Sequence, residues 1–209
     1  MNEPTIQETD LKWKTSNISK VYYRWFDKIK QTAGIKSIDK VLEIGCGLGY
    51  FGETFGVNYT GLEIDKERVA FCKAKGLNVV EGNAELLPFP DESFDVVVWV
   101  DVLHHTNYEK VVKEIKRVLK PNGVYCGVEP LPSFIRKLAF SLKEHHEKFD
   151  IFLEPSVLND VFKADGYKKI DMFYPLSGGF SRKEISSFYA DIHIAPLCWK
   201  YIIWGRKSE

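Results

Sequence analysis

Between residues 16 and 31 the apolar positions Ile18, Val21, Tyr22, Trp25, Phe26 and Ile29 recur at helical spacing, and Gly34 follows as a stop. The opposite face carries Lys20, Arg24, Lys28 and Lys30. A solvated face accounts for these charges; attraction to an anionic substrate or membrane surface is the alternative. Residues 1–10 are polar and are expected to fray. After this first helix, short apolar runs alternate with helical patterns. Strands are predicted at 40–44, 59–63, 78–81, 94–100 and 124–128, with helices at 50–55, 66–74 and 108–119. The run Val96-Val97-Val98-Trp99-Val100 is apolar throughout, as a central strand buried on both faces should be. Pro121-Asn122-Gly123 predicts a turn into the fifth strand. Such alternation means a parallel sheet covered by helices on both faces.

The last third reads differently. An amphipathic helix is expected at 131–145, a second helix at 157–164 and a strand at 167–173. Residues 175–196 form an irregular stretch with a short helix inside it, and 199–206 is a last strand. No repeat or low-complexity segment interrupts the 209 residues, which suit one domain with a sizeable core.

Charge changes the picture by exclusion. Lys plus Arg and Asp plus Glu both number 29, which argues against a nucleic-acid partner held mainly through phosphates. The cysteines Cys46, Cys72, Cys126 and Cys198 are scattered and read as reduced thiols. Glu144-His145-His146 are adjacent on a helix and point in different directions, so no metal is expected. The polar start and the lack of a long apolar run lead to the expectation of a cytoplasmic protein without stable membrane insertion.

The chemistry concentrates at Glu43-Ile44-Gly45-Cys46-Gly47-Leu48-Gly49, where an apolar strand runs into three glycines. Glycines at that density let a backbone turn sharply and approach a ligand closely. A dinucleotide fingerprint, G-x-G-x-x-G, needs its third glycine at position 50, and that residue is Tyr50. The observed E-x-G-x-G-x-G resembles motif I of the class I S-adenosylmethionine (AdoMet)-dependent methyltransferases. Four more segments resemble the same family, in its order and spacing. They are Gly61-Leu62-Glu63-Ile64-Asp65, the stretch from Gly82-Asn83-Ala84 to Ser93-Phe94-Asp95, Val102-Leu103-His104-His105, and Leu119-Lys120-Pro121-Asn122-Gly123. The dinucleotide reading explains only two of the five.

The resemblance implies a Rossmann-like, doubly wound α/β fold with a seven-stranded sheet, order 3-2-1-4-5-7-6, the last strand antiparallel. It implies AdoMet as cofactor, bound by Glu43, Gly45, Cys46, Gly47, Gly49, Glu63, Ile64, Asn83, Ala84 and Val100. Glu63 would accept the ribose hydroxyls, Ile64 would cover one adenine face, and Asn83 would accept from the adenine amino group. Glu43 would help place the cationic methionine end. Asp65 reads instead as an N-cap. His104 or His105 could serve as a general base, with loop lining as the bland alternative. Residues 1–36 would form a tail and a lid helix with Tyr22, Tyr23 and Trp25 on its inner surface. Residues 37–209 would form the methyltransferase domain, with acceptor-site segments at 131–153 and 175–196. The expected function is methylation of a small-molecule or lipid-like acceptor at O, N or C. The alternatives are an aminopropyltransferase, for which Asp101 alone speaks, and a non-catalytic AdoMet-binding or partner-binding member of the fold.

Overall fold

Side chains alternate across the strands and sort the core into two faces. Leu42, Ile44, Val97 and Trp99 point one way, and Val41, Val96 and Val98 point the other. The computed structural model describes residues 4–54, 58–130, 153–164, 167–173 and 200–208. Strands β1 (Val41–Ile44), β2 (Tyr59–Glu63), β3 (Val79–Glu81), β4 (Phe94–Val100), β5 (Leu119–Pro130), β6 (Tyr167–Phe173) and β7 (Lys200–Lys207) make one sheet. Its order is β3-β2-β1-β4-β5-β7-β6. The first five strands run parallel, while β7 lies antiparallel to both β5 and β6.

The helices are α1 (Ile6–Thr15), α2 (Asn17–Ala33), α3 (Lys66–Ala74), α4 (Tyr108–Val118) and α5 (Pro155–Ala164). On one face α2 buries Trp25, Phe26, Ile29 and Ala33 against β1, β4, β5 and β7. Left-handed Gly34 (φ 64°) closes that helix. On the other face α4 contributes Val111, Val112, Ile115 and Val118, and α5 contributes Leu158 and Phe162. Their spacing gives each helix one apolar stripe. Asp65 caps α3 by accepting from the amides of Glu67 and Arg68, as its position implied.

Three expectations need correction. The polar start does not fray over its whole length. Thr5 and Glu8 form a capping box that opens α1, a T-x-x-E signal present in the sequence. The helix expected at 50–55 is only a 3₁₀ turn, Gly52–Thr54. Left-handed Gly49 delays its start, and the Thr54 hydroxyl donates back to the Phe51 carbonyl at 2.6 Å. The fifth strand begins well before residue 124. It enters at Leu119, and Pro121-Asn122-Gly123 is accommodated as an irregularity in register with left-handed Asn122. The helix expected at 131–145 and the irregular stretch 175–196 lie outside the described residues.

Two packing features position the upper loops. Arg117 on α4 donates to the carbonyls of Leu87 (2.9 Å) and Phe89 (2.7 Å) and pairs with Glu114 and Asp91. Glu114 in turn accepts from the Leu87 amide at 2.7 Å, so the loop after β3 is held at both ends. Beneath it Trp99, Tyr125 and Phe162 stack, with Tyr125 and Phe162 centroids 4.2 Å apart. Gly127 leaves the space that the Trp99 indole occupies. A Cβ there would lie 1.9 Å from Trp99 Cε2. The substitution Gly127→Ala is therefore expected to destabilise the domain by about 1–3 kcal/mol through overpacking. Urea denaturation should show a lower midpoint with an unchanged slope.

Candidate functional site

The carboxyl ends of β1, β2 and β4 lie side by side, the place where open α/β sheets take their ligands. The chain leaves β1 through Gly45 (φ 67°), Gly47 (φ 55°) and Gly49 (φ 79°), all left-handed. These glycines do different work. A Cβ on Gly45 would fall 2.5 Å from a Val102 methyl and one on Gly49 2.4 Å from a Leu77 methyl, so packing adds to the demand that their conformation already makes. A Cβ on Gly47 would meet nothing within 4 Å, so its backbone faces open space.

Glu63, at the end of β2, holds this turn. Its Oε2 accepts from the Gly47 amide at 2.8 Å, and Oε1 accepts from Ile64 (2.9 Å) and Asp65 (3.1 Å). Glu129 does the same for the turn after β4. Its Oε1 accepts from Val102 (3.1 Å) and Leu103 (2.8 Å), while Oε2 pairs with His104 Nδ1 at 2.6 Å. Both carboxylates are buried, and both spend their charge on backbone amides.

Two clefts meet over this floor. The first, about 320 Å³, is lined by Leu62, Glu63, Ile64, Gly82, Asn83 and Ala84, with Val102 and His105 on its far side. The second, about 330 Å³, lies under α1 and α2 between Trp13, Tyr22, Phe26, Tyr50 and Phe51, with Glu43, Cys46 and Gly47 at its base. Gly45, Arg68 and Asp101 line both. Trp13 stacks on Tyr50 with centroids 4.5 Å apart, which brings α1 over the second cleft.

Glu43 is buried on the α2 face of β1, and its partner is the Tyr59 hydroxyl, which donates to Oε2. Burial pushes its carboxyl up to about 8; the Tyr59 hydrogen bond opposes the shift without cancelling it.

A family model for a methyltransferase domain matches residues 42–127. An uncharacterized protein of Methanocaldococcus jannaschii is 32% identical over 162 residues, 71% of this chain and 78% of that one. A fatty-acid O-methyltransferase of Mycolicibacterium smegmatis is 36% identical over 105 residues, 46% of this chain. That match spans only 38% of the longer relative. The fold matches a SAM-dependent methyltransferase from Archaeoglobus fulgidus with a TM-score of 0.68 at 20% identity, covering 94% of this chain and 96% of that one. The chain belongs to the methyltransferase-domain family through residues 42–127. The family's cofactor is AdoMet.

In this chain the expected cofactor residues divide between the clefts. Glu63, Ile64, Asn83 and Ala84 line the first, and Glu43, Cys46, Gly47 and Val100 the second, with Gly45 at the junction. Gly49 lines neither; it packs under Leu77. Of the two histidines, His105 lines the first cleft, whereas His104 is buried and committed to Glu129. Of the expected lid aromatics only Tyr22 reaches a cleft. Trp25 is buried against the sheet, and Tyr23 packs edge-on against Phe26 with centroids 5.6 Å apart.

Sequence reasoning missed Trp13, whose signal was the Thr5–Glu8 capping box. It also passed over Arg68, and it weighed Asp101 only for the aminopropyltransferase alternative. Asp101 is non-glycine yet left-handed (φ 57°), a conformation that motif spacing does not reveal. Among the described residues no His, Cys, Asp and Glu group could hold a metal ion, and no helix is long and apolar enough to cross a membrane.

The raised carboxyl of Glu43 has a measurable consequence. Its folded value of about 8 lies above the ordinary 4.5, so the protonated group favours the fold. That contribution is complete below about pH 4.5 and is lost as pH rises toward 8. The neutral isostere Glu43→Gln lacks it. The stability of Glu43→Gln relative to wild type should therefore climb between pH 4.5 and 8 and level off above, as read by urea melts along a pH series. A flat difference would assign the ionised form to the folded state.

Proposed function

We propose that this methyltransferase transfers a methyl group from AdoMet to a small-molecule or lipid-like acceptor. The observation that carries this reading is the left-handed glycine turn standing where two clefts meet, with the open backbone of Gly47 on one side and the Glu63 carboxylate on the other. The nucleoside half fits the first cleft. Ile64 is 68% exposed there, an apolar side chain in want of cover, and with Ala84 it offers an adenine two apolar faces. Asn83 Oδ1 accepts from the Glu85 amide at 2.8 Å and keeps a second lone pair for the adenine amino group. Glu63 has three amide donors, and a carboxylate has roughly four acceptor positions. One ribose hydroxyl fits without disturbing the turn.

The methionine half fits the base of the second cleft, at Gly45, Cys46 and Gly47 and within reach of Glu43. A cationic group there would draw out the carboxylate form of Glu43 that burial opposes. AdoMet supplies an already activated methyl group on a sulfonium. The chain's own part is alignment, close approach and exclusion of water. Residues 1–36 act in this reading as the cover of the 37–209 domain, with Trp13 and Tyr22 over the cleft and Trp25, Phe26 and Ile29 as the anchor. The aromatic lining of the second cleft supports an acceptor with an apolar portion. So does the name of the fatty-acid relative, which extends well beyond the shared segment.

Two outcomes test this. AdoMet or S-adenosylhomocysteine at about 100 times its dissociation constant should stabilise the protein by about 2.7 kcal/mol, an upward shift of roughly 5–10 °C in thermal denaturation. No shift with either, alongside a shift with NAD, would sink the assignment. The variant Glu63→Ala should weaken AdoMet at least about tenfold, since it removes a charged acceptor and frees three amides of the turn. Unchanged affinity by calorimetry would remove Glu63 from the ribose site.

A further inference from the structure

Asp101 lines both clefts and Tyr22 the second, and behind them Lys200 completes a polar cluster that the glycine turn does not use. Asp101 directly follows β4 in a left-handed conformation, and non-glycine residues held that way gather at functional sites. Its Oδ2 accepts from the Tyr22 hydroxyl at 2.8 Å and from the Lys200 ammonium. Lys200 Nζ also donates to the Tyr22 oxygen at 3.1 Å and stands 4.4 Å from the centroid of that ring. Asp101 Oδ1 is buried and has no hydrogen-bond partner among the described residues. Buried carboxylate oxygens are ordinarily paired, so the cluster is incomplete as it stands.

The missing group can be read from what is left over. The carboxylate and the ammonium cancel, so the cluster presents no net charge to a ligand. It offers one acceptor, Asp101 Oδ1, and one donor, the third N–H of an ammonium that has spent two. A hydroxyl is both donor and acceptor and satisfies the two together. An ammonium would face Lys200, and a carboxylate would face Asp101; each sets like charges close together in a partly buried site. Neither histidine competes for the position, since His104 is bound to Glu129 and His105 lines only the first cleft.

We propose that Asp101 and Lys200 take the hydroxyl of a neutral alcohol between Oδ1 and Nζ, with Asp101 as the proton acceptor for its methylation. Tyr22 is a positioning residue that holds Oδ2. As the alcohol oxygen bonds to the methyl carbon, the electron pair of the broken carbon–sulfur bond stays on sulfur and the hydroxyl proton passes to Asp101 Oδ1. The apolar remainder of the alcohol lies against Trp13, Phe26 and Phe51. This rests on the methyltransferase reading and specifies its acceptor.

The test is binding to protein saturated with S-adenosylhomocysteine, titrating 1-octanol, octylamine and octanoate by calorimetry. Octanol should bind at least about tenfold tighter than either charged analogue, which corresponds to about 1.4 kcal/mol. Asp101→Asn should weaken octanol about tenfold while S-adenosylhomocysteine affinity stays within about twofold, the loss expected when one charged hydrogen-bond acceptor is removed. Lys200→Met should shift the preference toward octylamine, because the carboxylate then stands without its cation. Octanoate as the tightest ligand, no saturable binding of octanol, or an unchanged octanol affinity in Asp101→Asn would each overturn the hydroxyl assignment. Failure of wild-type protein to bind S-adenosylhomocysteine would instead overturn the methyltransferase reading, and the alcohol proposal with it.

Discussion

The carboxylate of Glu63 accepts hydrogen bonds from the amides of Gly47, Ile64 and Asp65, and in doing so ties the turn after β1 to the turn after β2. Much of the site depends on that tie. The turn after β1 contains left-handed residues, and the Gly47 amide finds its acceptor in this side chain. A buried carboxylate supplies a fixed acceptor where water is excluded. Glu129, on β5, repeats the device for the turn after β4, holding it through two amides and the His104 ring. Gly45 closes the gap between them, since Val102 occupies the space its side chain would need. Three strand ends thus become one rigid floor built from two acidic side chains and the main chain.

The roof is made differently. Helix α1 buries no residue and reaches the cleft through Trp13 stacked on Tyr50. Helix α2 is anchored in the core by Trp25, Phe26 and Ile29, yet its contact with the strand ends runs through Tyr22 and Asp101. Few buried apolar contacts and a polar latch mark a segment of low local stability beside one of high stability. The proposed function, in which the site admits a cofactor and an acceptor and then excludes water, would draw on that contrast.

Electrostatics at the site follow burial more than formal charge. The chain is neutral overall, and the acidic side chains nearest the clefts are held in distinct ways. Glu63 is held by three amides, and Asp101 is held through Oδ2 alone by a hydroxyl and an ammonium. Glu43, with only the Tyr59 hydroxyl, is pushed toward its neutral form. Of these, Glu43 is the carboxyl whose charge state a bound cation would change most.

Hydrophobic alternation and glycine spacing were enough to locate β1 to β4, helix α3 and the turn between the clefts, because strand faces and left-handed turns leave direct marks in sequence. Bounds 59–63, 66–74 and 94–100 need no revision. The sequence did not disclose that His104 and Trp25 point into packed interior while His105 and Tyr22 face the clefts. Neighbouring residues share composition, and only the fold fixes which way each side chain turns. Nor could it bring Lys200 to Tyr22 and Asp101 across separations of 178 and 99 residues, since that contact exists only once β7 has paired with β5 and α2 has packed on the sheet. Local chemistry by itself determined the glycine turn and the resemblance to the family; long-range pairing decided which side chains stand beside that turn.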